Sequence, residues 1–130
     1  MREKENIEKV RGIYEAMDKG DFTALISLMA EDGSVWLIGS TPMSGLHQGK
    51  EKIEALFKQV SQFFCNGIHF NIKHILAEGN VVMAEWEDWA IVANGKRYEN
   101  NGVNIFVFNK EGKIQSFREY IDPEKIMKVM

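Results

Sequence analysis

The sequence has a single cysteine, Cys65, and so can form no internal disulfide. That residue follows Phe63-Phe64 and is expected as a small buried side chain. No block of lysine and arginine stands out, and net charge is −3, with acids and bases spread along the chain. This excludes the electrostatic footprint that binding to nucleic acid or an anionic membrane requires. No apolar run reaches the roughly 20 residues a bilayer-spanning helix needs. The stretch Met1-Arg2-Glu3-Lys4-Glu5-Asn6 is too polar for a secretion signal, so a cytoplasmic protein is expected. The three histidines, His47, His69 and His74, are scattered, and no Cys/His spacing suits zinc. There is no glycine-rich phosphate loop and no nucleophile elbow. Neither a metal nor a cofactor is expected.

What is present is one chain of 130 residues, enough for a single domain over 1–130 with one good core. Residues 4–18 carry Ile7, Val10, Ile13, Tyr14 and Met17 at helical spacing. Gly20 ends this helix, and Asp21 caps a second with Phe22, Leu25, Ile26 and Met29 as its stripe. Residues 34–38 read as a short strand and 39–49 as a loop containing Pro42 and Met43. A third helix over 50–64 turns Ile53, Leu56, Phe57, Val60 and Phe64 inward and stops at Asn66-Gly67.

From Ile68 the period changes to two. Strands are expected at 68–77, 81–93, 96–109 and 113–121, separated by Glu78-Gly79-Asn80, Asn94-Gly95 and Glu111-Gly112. Together they form an antiparallel meander. Strands this long must twist and curl, and Gly102 suggests a bulge or bend. Asp122 then caps a last helix with Pro123 in its first turn. The sum is an α+β roll, a curved antiparallel sheet around N-terminal helices, with a pocket at its open end.

Strand parity locates that pocket. Ile68, Phe70, Ile72, His74 and Leu76 share one face. So do Val82, Ala84, Trp86, Asp88 and Ala90, and so do Tyr98, Asn100, Asn104, Phe106 and Phe108. On the last strand Phe117, Glu119 and Ile121 align. Two acids, Asp88 and Glu119, thus fall on apolar faces. Burial raises a carboxyl pKa, and a second acid nearby separates the two values, which supplies a proton donor and an acceptor near neutrality. The competing expectation is that Arg118, Arg97 or a lysine ties each acid. Tyr14, Trp36, Trp86 and Phe106 are expected to shape the pocket, and His74, Asn104 and Phe117 to contact a ligand. For Trp36 plain core packing, and for His74 a hydrogen-bonded core role, compete with this. The opposite faces are apolar as well, with Val81, Met83, Val103, Ile105 and Val107, and a second copy of the chain is the simplest cover. Trp89 is expected on that outer side.

The order of several short motifs carries a resemblance. Lys19-Gly20-Asp21 closes the first helix, Leu28-Met29-Ala30-Glu31-Asp32 precedes the short strand, and Gly49-Lys50-Glu51 opens the third helix. Asn94-Gly95, Gly112-Lys113-Ile114 and Arg118-Glu119-Tyr120-Ile121-Asp122 follow. Over nearly its whole length the chain resembles the nuclear transport factor 2-like superfamily, in particular its SnoaL-like, ketosteroid-isomerase-related branch. The resemblance implies a cone-shaped roll, usually dimeric, with a deep apolar pocket. It also implies that Glu119 stands where cyclases and limonene epoxide hydrolase keep a proton-donating acid. Asp88 matches the aspartate of the hydrolase's Arg-x-Asp pair, with Trp86 in place of the arginine. Val35-Trp36-Leu37-Ile38 supplies neither the hydrolase's tyrosine and asparagine nor the isomerase's aspartate, and Ile13 aligns with the isomerase's tyrosine. Epoxide hydrolysis and steroid isomerisation by those mechanisms are therefore not expected. The expectation is a cofactor-independent isomerase, cyclase or dehydratase acting on a small apolar molecule, with Asp88 and Glu119 as acid and base. The alternative is a non-catalytic binding or dimerisation domain.

Overall fold

The computed structural model describes residues 2–130; Met1 of the N-terminal stretch lies outside them. Helix α1 spans Arg2–Asp18, and Val10, Ile13, Tyr14 and Met17 bury its inner stripe. It ends where Gly20, at φ 83°, donates its N–H to the Met17 carbonyl at 2.9 Å, a left-handed turn that glycine adopts without a Cβ penalty. The Asp21 carboxylate then accepts the Thr23 N–H at 2.9 Å and starts α2, Thr23–Leu28. Strand β1 follows directly as Met29–Leu37, longer than the sequence pattern suggests. The expected loop 39–49 contains a further short strand, β2, Gly45–Gln48, paired antiparallel to β1. Helix α3 is Lys50–Phe63. The meander comprises β3 His69–Glu78, β4 Val81–Ile91, β5 Arg97–Phe108 and β6 Ile114–Ile121. Helix α4, Pro123–Met127, is capped by Asp122, which accepts the Glu124 N–H at 3.0 Å.

The six strands lie in the order β2-β1-β6-β5-β4-β3. All neighbours are antiparallel except β1 and β6, which run parallel and bring Leu37 beside Glu119. The helices cover one face of this curved sheet. α1 lies across β3 and β4, α3 across β1 and β2, and α4 against β5. Between the layers Trp86, Phe106 and Phe108 are fully buried; each phenylalanine contributes roughly 1.5–3 kcal/mol by leaving water.

Two expectations about parity are corrected here. Gly102 makes no bulge: β4 and β5 stay in register from Val81↔Val107 to Ile91↔Arg97, with Trp86 opposite Gly102. The glycine is required by close approach instead. A Cβ there would collide with the Tyr120 carbonyl oxygen and come within 3.1 Å of the Trp86 ring. Gly102→Ala is expected to destabilise by roughly 2–4 kcal/mol, because β6 or Trp86 must move; an unchanged denaturation midpoint would contradict this. The bulge lies in β3, between Ile72 and His74. Past it Ile75 and Ala77 turn inward while His74 and Leu76 turn out. Cys65 also differs from expectation, being exposed just beyond α3, where the chain is already turning toward Gly67.

Candidate functional site

Helices and sheet do not close completely on one another. A cavity between them leaves about 80 Å³ for the centres of water molecules. Its helical wall is Met17, Phe22, Leu25, Phe57, Val60, Phe64 and Ile126, and Leu37, Ile38, Thr41, Met43 and Ser44 form the side nearest β1. From the sheet come Phe70, Asp88, Tyr98, Asn104, Phe117, Glu119 and Ile121. The wall is apolar and aromatic with a few polar groups, the usual make-up of a small-molecule site.

The polar groups are placed by register. Asp88 sits on β4 opposite Phe70 on β3 and Asn100 on β5. Glu119 sits on β6 opposite Asn104 on β5 and Leu37 on β1. The two acids are therefore offset by two inward positions along β5, with the small Gly102 between them. Asn104 is 1% exposed and donates from Nδ2 to the Tyr14 hydroxyl at 2.7 Å, which links the sheet to α1. Asn100 faces away from ligand duty. Its amide donates to the Asp122 carbonyl at 3.0 Å and accepts the Asp122 N–H at 3.2 Å, fixing the start of α4 over the sheet.

Burial dominates the electrostatics. Asp88 is pushed up to about 8, first by desolvation and then by the Glu119 charge, with the Asn100 backbone drawing it part of the way back. Glu119 is pushed up to about 7 by desolvation. It keeps accessible surface only in part, and it lines the cavity, whose apolar walls give little solvation to a charge. The tyrosine hydroxyls of Tyr14 and Tyr98 are raised too, by burial and by these acids, so both remain protonated and can donate. No arginine ties either acid. Arg118 reaches Ser116 Oγ at 3.5 Å, and Arg97 pairs with Glu99 at 2.6 Å. Asp88 also borders an outer polar groove lined by His69, Glu87, Trp89, Arg97 and Lys125.

Of the residues singled out by parity, Asp88, Glu119, Asn104 and Phe117 border the cavity, and Tyr14 joins it through Asn104. Phe106 and Trp86 lie behind it as packed core, with Phe106 against Tyr14 and Phe117 and Trp86 edge-on to Phe70. Two placements are corrected. His74 is exposed and faces Glu85 at 3.9 Å, because the β3 bulge reverses its side. Trp36 lies on the outer face against Tyr120, ring centroids 5.3 Å apart, because Val35 and not Trp36 takes the inward position of β1. Trp89 lies outside as expected, stacked with His69 and Arg97. The helical wall of Phe22, Phe57 and Phe64, together with Met43, was not assigned to a pocket by parity, whereas Tyr98 borders the cavity from the strand face that parity gives it; the helical stripes mark the phenylalanines as inward without showing that space remains beside them. Among the described residues no three His, Cys, Asp or Glu side chains gather around a possible metal position.

The SnoaL-like domain family matches residues 10–117, which includes Asp88 and ends two residues before Glu119. The chain belongs to the SnoaL-like domain family. Solved structures agree on the fold. Bal32a, from a soil-derived mobile gene cassette, is 25% identical with a TM-score of 0.84, and 98% of each chain is covered. A nuclear transport factor 2-like protein from Anabaena variabilis is 24% identical with a TM-score of 0.81, over 93% of this chain and 90% of that one. TerC, co-crystallised with polyporic acid, is 17% identical with a TM-score of 0.78, over 95% of each chain. No curated protein matches the sequence. Among the described residues no helix is long and apolar enough to cross a membrane.

Proposed function

We propose that this SnoaL-like domain performs cofactor-independent acid–base chemistry on a small, largely apolar molecule: an isomerisation, cyclisation or dehydration. The observation that carries the reading is the pairing of Asp88 and Glu119 on the wall of one apolar cavity with neither tied to a base. In this reading Glu119 exchanges the proton with the ligand. Asp88, which borders both the cavity and the outer polar groove, returns that proton to solvent. Phe117 and the helical phenylalanines hold the ligand, and Asn104, steadied by Tyr14, orients it. Values near neutrality allow one carboxyl to give a proton while the other takes one.

The test is exchange with solvent. A library of compact apolar compounds with neutral, acidic and basic heads is incubated with the protein in heavy water, and deuterium incorporation or isomer formation is read by mass spectrometry. The expected result is incorporation into at least one compound class, lost in both Glu119→Gln and Asp88→Asn. Binding without incorporation anywhere in the library supports the second reading, a non-catalytic binding domain. That reading draws on the offset of the two acids along β5, which lets each touch a ligand without sharing one reacting atom.

The outer sheet face supports pairing with a second copy. One register row crosses all six strands as Leu46, Trp36, Arg118, Ile105, Met83 and Leu76. Leu46 and Leu76 at its ends are 64% and 68% exposed. Five of these six positions are apolar, with Arg118 between Trp36 and Ile105; a face so rich in apolar side chains suits contact with another chain, and a two-fold axis through the sheet lets the same row cover itself. Light scattering is expected to give a dimer mass at micromolar concentration, and Ile105→Glu with Met83→Glu a folded monomer. A monomeric wild type would contradict the assignment.

A further inference from the structure

The cavity is rich in acceptors and has no cation of its own. Among its lining residues there is no lysine, arginine or histidine. Asp88 Oδ1 and Asn104 Oδ1 are buried without any hydrogen-bond partner, in residues 8% and 1% exposed; the Trp86 Nε1 donor is unpartnered as well, but Trp86 does not line the cavity. Glu119 lies opposite Asn104 in register, and burial alone accounts for its perturbation, with no donor offsetting it. Unpaired buried acceptors cost free energy until a donor arrives. No donor of the protein, neither the Tyr14 and Tyr98 hydroxyls nor Trp86 Nε1, hydrogen-bonds Asp88 Oδ1 or Asn104 Oδ1, which leaves both open to a donor carried by the ligand.

We infer that the ligand of this site is a compact apolar amine, bound as the ammonium cation between Asp88, Asn104 and Glu119. This rests on the proposed function and names the ligand class of the same cavity. An ammonium brings up to three N–H donors and no acceptor that would compete with them. Its charge replaces the missing cation, and the aromatic rings of Phe70 and Phe117 line the cavity, a residue type that attracts a desolvated cation. A ketone or aldehyde fits less well. Its oxygen can accept from a protonated carboxyl, but it leaves Asn104 Oδ1 unpaired. An organic anion meets two acids and no base. The other titratable groups close to the acids are Tyr14 and Tyr98, both held protonated, and Asp122 beyond Tyr98. Lys125, Arg97, Glu87, Glu99 and His69 line the outer groove on the far side of Asp88.

Binding of a cation favours the ionised carboxyls. Amine binding should therefore release protons and strengthen as pH rises through the range where the acids titrate, until the amine itself loses its proton. The probes are four molecules with one ring and different heads: cyclohexylamine, cyclohexanol, cyclohexanone and cyclohexanecarboxylate. Melting shifts and calorimetry in two buffers of different ionisation enthalpy are read near neutral pH. Cyclohexylamine is expected to raise the melting temperature and release protons, and the three others to shift it less. Asp88→Asn and Glu119→Gln are each expected to weaken amine binding by about tenfold or more. Equal or stronger binding of cyclohexanone or cyclohexanol overturns the inference, and is the result expected if the Asn104 amide turns its N–H to the cavity. Amine binding that ignores both substitutions, or no binding by any of the four, overturns it as well. The two proposals fail separately. Deuterium incorporation into a neutral compound that outcompetes the amine keeps the acid–base reading and removes this one. Amine binding with no incorporation anywhere keeps this one and removes catalysis.

Discussion

Raising the pH from about 5 to about 9 should weaken this protein by several kcal/mol, and Asp88→Asn should remove most of the loss. A solvated aspartate titrates near 3.8, whereas Asp88 in the fold is pushed up to about 8. Between those values the folded state holds a proton that the unfolded state has released. Stability is therefore full below the unfolded value, falls as pH rises, and levels off only past the folded value. Each carboxyl in that window contributes about 1.4 kcal/mol per pH unit. Glu119, pushed from 4.5 to about 7, adds to the fall over a narrower range. Asp21 and Glu99 are lowered by their partners and act in the opposite sense, but both are at the surface. Denaturant unfolding at a series of pH values checks this. Asp88→Asn keeps the shape and cannot ionise, so it should flatten the profile and be more stable than wild type at alkaline pH. A wild-type profile that is level or rises from pH 5 to pH 9 would contradict the burial of these acids.

The second large effect is on turnover. Glu119→Gln should lower the rate of the proposed proton transfer by roughly 10²–10⁴-fold, the usual worth of a positioned acid or base. The fold should remain intact, and above about pH 7 it should gain stability, because the amide replaces a charge held in an apolar wall. A residue that merely anchored an arginine would behave in the opposite way, losing stability and sparing activity. Arg118 and Arg97 both turn elsewhere, which favours the first pattern. Rates in the deuterium assay beside melting curves of the two forms separate the cases.

The sequence made the two acids legible because β4 and β6 keep strict alternation through Asp88 and Glu119. The helices and the meander were legible for the same reason, since their apolar periods run unbroken between glycine turns. Where one residue interrupts the period, parity failed. The β3 bulge between Ile72 and His74 leaves no sequence mark, yet it exchanges the sides of His74 and Ile75. In β1 both Val35 and Trp36 can be inward on composition, and only pairing with β6, where Val35 faces Phe117, settles the phase. Strand β2 is four residues between glycines, too short to show a period. Gly102 gave the right position for the wrong reason, since closeness to Tyr120 and Trp86 is a tertiary fact. The cavity itself was hidden likewise. Phe22, Phe57 and Phe64 announce an inward face, but whether that face meets atoms or space depends on how far α4 and the 39–44 segment stand from the sheet.

Everything proposed for this site depends on two carboxyls held in an apolar cavity without a counter-charge. Carbon-13 NMR of the Asp88 and Glu119 side-chain carboxyls, titrated across the pH range and assigned with Asp88→Asn and Glu119→Gln, tests this most directly. The account predicts that both titrate well above the ordinary carboxyl range, near the values of about 8 and about 7, and that removing Glu119 lowers the value at Asp88. Two ordinary titrations below about pH 5, each unaffected by loss of the other acid, would contradict it.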